Sequence, residues 1–300
     1  MAVEVPRNTT TIVKPSWLKV RAPGSPEYLE TRKIVKDLKL HTVCEEAQCP
    51  NIGECWSHHT ATFMIMGELC TRKCHFCSVK KGTSDTLVAL DPNEPERVGL
   101  AVKSLGLKHA VITSVDRDDV ADNGAGHFSK TVAAVRKHSP GCKIELLIPD
   151  LKGSRRDLEA ILASTIDVLN HNIETIPRLY KKVRPGAGYV RSLSIHRWAK
   201  EIDPQVVTKS GIMVGLGETR DEVLSVMDDM RAVGIDVMTI GQYLRPTQNQ
   251  LPVRAFITPE EFKDYEAEGL RRGFRFVESG PFVRSSYHAW KHTADVEARE

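Results

Sequence analysis

Six of the seven cysteines in this 300-residue chain fall between residues 44 and 77, in two groups of three. The later group, Cys70-Thr-Arg-Lys-Cys74-His-Phe-Cys77, has the spacing CxxxCxxC. Three thiolates on one loop can bind three irons of a cubane 4Fe–4S cluster and leave the fourth iron open to a reacting molecule. Zinc is the alternative, but a structural zinc takes four ligands, and His75 stands too near Cys74 and Cys77 in sequence to complete a tetrahedron easily. The earlier group, Cys44-Glu-Glu-Ala-Gln-Cys49-Pro-Asn-Ile-Gly-Glu-Cys55, reads CxxxxCxxxxxC. It can hold a second cubane, again one ligand short, in a spacing unlike the common ferredoxin patterns. Zinc with His41, His58 or His59 as fourth ligand is the competing assignment there. Cys142 has no companions and precedes a strand, as a buried structural thiol does.

Ligation explains the clustering better than disulfides do. The start, Met-Ala-Val-Glu-Val-Pro-Arg, has neither a signal-peptide nor a transit-peptide pattern. A chain with 41% hydrophobic residues can also bury a core without covalent staples. A cytoplasmic location is the expectation. Lys and Arg (42) nearly balance Asp and Glu (39), so the net charge of +3 gives no electrostatic case for nucleic acid as partner. No apolar run reaches the ~18 residues that would span a bilayer.

The elements that must position these cysteines begin at Thr60. Residues 1–59 are rich in Pro and charge, with one helical stretch near Glu27–Leu38, and read as an extension packed on a body. From there short β-branched runs alternate with amphipathic stretches, the pattern of repeated βα units with parallel strands. The candidate strands are Ala61–Met66, His109–Val115, Lys143–Ile148, Val168–His171, Thr208–Val214 and Val237–Tyr243. The candidate helices are Pro95–Leu105, Phe128–Lys137, Arg155–Ala163, Ser192–Glu201, Glu218–Val233 and Pro259–Arg272, the last with Thr258 and Glu261 as a capping box. Periodicity alone leaves open whether such units form a doubly wound sheet or a barrel. The tail from Trp290 to Glu300 reads as a frayed or helical end.

CxxxCxxC with an aromatic before the last cysteine resembles the motif of the radical SAM superfamily. That resemblance implies a partial (β/α)6 TIM-like barrel, which agrees with the six strands. It also implies that S-adenosylmethionine (SAM) chelates the open iron and is cleaved to a 5′-deoxyadenosyl radical, which abstracts hydrogen from unactivated carbon, a task beyond any acid–base side chain. The segment His41-Thr-Val-Cys44-Glu-Glu-Ala-Gln-Cys49-Pro-Asn resembles the auxiliary-cluster motif of the lipoyl synthase family and stands before the radical motif, as in that family. Val283-Arg284-Ser285-Ser286-Tyr287-His288 resembles that family's RSSY segment. By that resemblance Ser286 is the fourth ligand of a second 4Fe–4S cluster, which is consumed as sulfur donor. The harder serine oxygen should bind iron labilely. The organisation implied is 1–59 carrying the auxiliary motif, 60–281 the barrel, and 282–300 the serine segment.

The family's activity is insertion of sulfur at C6 and C8 of an octanoyl chain on a lysine of a lipoyl-domain carrier, either the glycine cleavage H protein or a 2-oxoacid dehydrogenase E2. The further partners implied are a ferredoxin or flavodoxin and an iron–sulfur carrier protein. Around the cofactor, Met66-Gly67-Glu68 can set backbone against the methionyl amine. The Gly215-Leu216-Gly217 turn can offer amides to an anionic group. Asn172 and Glu174, at a strand C-terminus, can bond a ribose or amino group. Arg284 can neutralise a cluster, whereas Arg117 reads as a surface ion pair, and Tyr180, Tyr189 and Trp198 as core or rim aromatics. Two other classes remain: a two-cluster methylthiotransferase acting on tRNA or a ribosomal protein, against which the missing basic tail argues, and a noncatalytic zinc-bound assembly protein.

Overall fold

A computed structural model of the chain describes residues 14–20, 23–58, 60–289 and 291, so the tail beyond Ala289 lies outside the described residues except for Lys291. Eight strands form one sheet in sequence order: β1 (His41–Thr42), β2 (Thr62–Ile65), β3 (His109–Ser114), β4 (Lys143–Leu147), β5 (Val168–Asn170), β6 (Val207–Val214), β7 (Val237–Gln242) and β8 (Phe276–Gly280). β1 runs antiparallel to β2, and every later pairing is parallel. Every residue of β2 and of β7 is buried, as parallel strands covered on both faces require.

All six expected strands are present within a residue or two. β8 and β1 were not expected. Phe276-Val-Glu-Ser-Gly280 lacks the apolar run that marks the others, because four of its five residues stay partly exposed at the sheet edge. Among the described residues no ladder joins β8 to β1, so the barrel is open along one side.

The outer layer comprises α4 (Glu94–Ser104), α5 (Ala125–His138), α6 (Arg155–Leu162), α7 (Pro177–Val183), α8 (Tyr189–Ile202), α9 (Arg220–Ala232) and α10 (Pro259–Arg271). The N-terminal extension supplies α1 (Pro26–Asp37), α2 (Val43–Glu46) and α3 (Ile52–Ser57). Thr258 and Glu261 form the anticipated capping box on α10, and Thr219 with Glu222 forms another on α9. α9 therefore starts at Arg220 and not at Glu218, whose side chain has another use described below.

Alternate residues of the strands point into the barrel. Toward the strands' N-terminal ends, Lys209 reaches both carboxylate oxygens of Glu145 at 2.9 and 3.0 Å, and Asn170 Nδ2 donates to Glu145 Oε1 at 2.8 Å, all fully buried. Toward the C-terminal ends the interior opens into a cavity of about 440 Å³.

Candidate active site

The Cys70–Cys77 loop leaves the C-terminal end of β2, the end at which barrel proteins place their chemistry. Backbone bonds lock its base: Cys70 N donates to Lys80 O and Gly82 N to Cys70 O, both at 2.9 Å. Thr71 donates its amide and its hydroxyl to Asp116 O beyond β3, each at 3.0 Å. Arg72, between the first two cysteines, turns inward and is buried. Its guanidinium holds Asp118 at 2.8 and 2.9 Å and Asp150 at 2.6 Å, a bidentate pairing that fixes geometry as well as charge. His75 donates its amide to Val183 O at 2.9 Å and sets Nδ1 2.8 Å from Lys182 O, so the ring is engaged with backbone of α7 and not with a metal.

The second triad rides on the extension. Thr42 caps α2, which carries Cys44; Cys49 donates its amide to Cys44 O at 3.0 Å; Cys55 lies in α3 above the fully buried Trp56. Cys44, Cys49, Cys70, Cys74, Cys77 and Ser286 all line the one cavity. Cys55 is not in that lining, but the charges of Cys44 and Cys49 act on it, which places it beside them.

All seven cysteines are free thiols. Burial pushes the Cys44 and Cys70 thiols up to about 12 and Cys74 to about 11, with Cys49, Cys55 and Cys77 moved the same way. These thiolates need a bound cation to form. Neither triad gathers three Sγ atoms within 4.8 Å of one another. Sulfurs tetrahedral about one zinc at ~2.3 Å would sit ~3.8 Å apart. Neither triad is drawn together as a single zinc ion would hold it. Cationic groups are also in place. Arg284 lies near Cys49 and Glu174, and Arg184, near Cys74, leaves its buried Nε without an acceptor. The indole N–H of Trp56 points at the Cys44 sulfur and favours its thiolate.

The C-terminal segment closes the open side of the barrel. Asn51 Nδ2 donates to Phe282 O at 2.7 Å, Thr62 Oγ1 to Ser286 Oγ at 2.8 Å, and the Tyr287 hydroxyl to Glu54 at 3.1 Å. It rests on Gly241 of β7, where a Cβ would run into the Val283 carbonyl oxygen.

Asn172 and Glu174 line the cavity, and Asn172 Nδ2 donates to Glu174 Oε1 at 3.1 Å. Glu174 has φ +69°, an unfavourable conformation for a side-chain-bearing residue, held by backbone bonds to Gly211 and Met213. Burial lifts its carboxyl, and that of Asp116, above the usual range. The glycines fare differently. Gly67, Glu68, Gly215 and Gly217 are not in the lining. The Glu68 carboxylate pairs with Lys80, and the Gly215 and Leu216 amides are taken by the Glu218 carboxylate, so two of that turn's amides are already engaged by a carboxylate of the chain itself. Arg117 is buried, not on the surface: it pairs with Asp119 at 2.8 Å and donates to the Met66 and Val88 carbonyls. Sequence reasoning missed Arg72, Asp116, Arg184 and Gly241. The only local signal was Asp116-Arg-Asp-Asp119 at the end of a strand.

Comparison with known proteins agrees with this geometry. Residues 64–230 match the radical SAM superfamily, and residues 3–49 match the N-terminal domain of lipoyl synthase of that family. A lipoyl synthase of Rubrobacter xylanophilus is 55% identical over 283 residues, covering 94% of this chain and 87% of that protein. The chain belongs to the lipoyl synthase family. Lipoyl synthases are radical SAM enzymes, so a 4Fe–4S cluster and SAM are implied cofactors. More distant structures share the fold alone. Methylornithine synthase (PylB) gives a TM-score of 0.55 at 16% identity, covering 74% of this chain and 72% of its own. SuiB of Streptococcus suis bound to S-adenosylmethionine gives 0.57 at 12% identity, covering 77% and 54%. No helix among the described residues of this lipoyl synthase family member is long and apolar enough to cross a membrane.

Proposed function

We propose that this chain inserts two sulfur atoms, at C6 and C8, into an octanoyl group on a protein lysine, forming the lipoyl cofactor. The observation that supports this best is that five of the six clustered cysteines line one cavity with Ser286, and Cys55 lies beside Cys44 and Cys49, in a chain so similar to a lipoyl synthase. In this reading Cys70, Cys74 and Cys77 hold the cluster that binds SAM, and Cys44, Cys49, Cys55 and Ser286 hold an auxiliary 4Fe–4S cluster. When bound, these groups supply hydrogen abstraction from unactivated carbon and sulfide for the new C–S bonds.

The chain's own residues do the rest. Arg184 and Arg284 offset the negative charge of gathered thiolates in a low-dielectric cavity. Asn172 and Glu174 offer hydrogen bonds to a ribose or amino group. Met64, Val79 and Ile148 give the alkyl chain an apolar wall. Residues 1–59 carry the auxiliary ligands, 60–281 form the barrel and 282–300 bring the serine. The carriers would be the H protein or an E2 lipoyl domain, with a ferredoxin or flavodoxin as reductant and an iron–sulfur carrier for rebuilding, all in the cytoplasm. The test is the mass of an octanoyl-lysyl peptide after anaerobic incubation with reconstituted protein, SAM and a strong reductant. Gain of two sulfurs supports the reading; 5′-deoxyadenosine with unchanged peptide refutes the substrate and keeps the radical chemistry.

A further inference from the structure

Three segments that meet at the mouth of the cavity, residues 69–84, 175–200 and 243–259, hold 13 of the chain's 42 basic residues and none of its 39 acidic ones. Several of these cations are committed within the fold: Arg72 and Arg191 to Asp150, Arg178 to Glu222, Lys200 to Asp236 and Lys80 to Glu68. Six others are not. Lys73, Lys81, Lys181, Lys182, Arg245 and Arg254 are exposed and, among the described residues, have no carboxylate within 4.0 Å. Arg245 spends its guanidinium on the Gln248 and Gln250 carbonyls, which leaves its charge uncompensated.

These six belong to one connected rim. His75 ties the cysteine loop to Lys182 and Val183, and Leu251 N donates to His75 O at 3.1 Å. Gln250 Nε2 donates to Cys77 O at 3.3 Å. Lys182 and Arg254 line the same small depression, and Lys81 and Arg245 are exposed residues of the cavity lining. A balanced chain has thus gathered a basic patch around the cavity that holds the cysteines. Such a patch adds little to stability, because exposed cations in water gain and lose little on folding, but it steers and orients an oppositely charged body.

We infer that this rim is the docking surface for a protein that presents acidic side chains around the lysine bearing the substrate chain. The inference rests on the reading above that the substrate arrives on a protein. Nucleic acid suits the rim less well. Binders of unpaired strands set exposed aromatics among their cations, whereas Tyr180 and Tyr243 here are buried and Phe76 faces the cavity.

The experiment uses reconstituted protein and a variant carrying Lys181→Glu, Lys182→Glu and Arg254→Glu, none of which lines the cavity. A control variant carries Arg32→Glu, Lys33→Glu and Lys36→Glu on α1, with the same change in net charge. Dissociation constants are measured against an octanoylated carrier domain with acidic residues flanking its lysine, against that domain with those residues changed to amides, and against a single-stranded RNA. KM is measured for an octanoyl-lysyl peptide. The expected result is at least about tenfold weaker binding of the acidic domain by the rim variant at ~50 mM salt, with a smaller gap at ~300 mM. The control and the peptide KM should be unchanged, and the amidated domain should bind both proteins alike. Equal binding of the acidic domain by rim variant and wild type overturns the proposal, as does an equal loss in the control. RNA bound more tightly than the domain and lost in the rim variant overturns it in favour of nucleic acid. If the wild type leaves the peptide unmodified, the sulfur-insertion reading fails, while the binding comparison still decides the rim.

Discussion

Thr62 Oγ1 donates a 2.8 Å hydrogen bond to Ser286 Oγ, joining the first parallel strand to a segment 224 residues later. A donor aimed at an oxygen favours its charged form, and an oxygen that is to bind iron must give up its own proton. The contact therefore both places Ser286 and eases that loss. Ser286→Ala should leave SAM cleavage to 5′-deoxyadenosine near the wild-type rate and stop sulfur insertion. Thr62→Val should cost ~1 kcal/mol of stability and give an intermediate insertion yield. Comparing nucleoside and thiolated-peptide yields in one reaction checks both, and loss of nucleoside in Ser286→Ala would count against a role confined to the second cluster.

The two triads should separate by substitution. Cys74→Ala is expected to abolish SAM cleavage. Cys49→Ala is expected to retain SAM cleavage and hydrogen abstraction while losing insertion. Iron and sulfide analysis should find each variant with about half the wild-type content. Equal loss of SAM cleavage in two folded variants would falsify the division of labour.

Gly241 supports the same region from below. A Cβ there meets the Val283 carbonyl oxygen, which is backbone and cannot swing aside as a side chain would. Gly241→Ala should push the 283–286 segment off β7, with insertion falling by an order of magnitude or more and SAM cleavage changing far less. Retention of full insertion activity would show that the segment relaxes freely.

The Glu145–Lys209 pair gives a prediction about acid. Burial opposes the charge on Glu145, but Lys209 and His109 outweigh it and hold the carboxyl down to about 2. A carboxyl lower in the folded than in the unfolded state contributes stability above its ordinary range, ~4.3, and loses it as pH falls toward the folded value. Lys209→Met strands that carboxylate and should cost ~3–5 kcal/mol at pH 7. With its cation gone, Glu145 takes up a proton readily, so the deficit should shrink as pH drops. Melting curves at pH 7 and pH 4 check the sign: a gap that widens on acidification rules this account out.

The chemistry of this chain was legible because it is written in short spacings. Two triads, each within a dozen residues, mark the candidate cluster ligands without any tertiary information. The strands β2 to β7 were legible because both faces are buried and the residues say so. What escaped notice depends on distance in sequence. Arg72 looks like a surface residue until Asp118 and Asp150 close over it. Gly241 is ordinary until Val283 arrives more than forty residues later. The Gly215–Gly217 turn suggested an anion site because its amides were counted but the neighbouring Glu218 was not. β8 hid because an edge strand with Glu278 and Ser279 has only one side to bury.

The missing ladder between β8 and β1 has a consequence for upkeep. The wall along that side is held by a few side-chain bonds, Asn51 to Phe282, Thr62 to Ser286 and Tyr287 to Glu54, each worth ~1 kcal/mol. Parting them breaks none of the seven strand pairings. Under the proposed function, the sulfur-donating cluster would sit behind that wall and be replaced as through a service hatch, while the Cys70–Cys77 loop stays in its mounting.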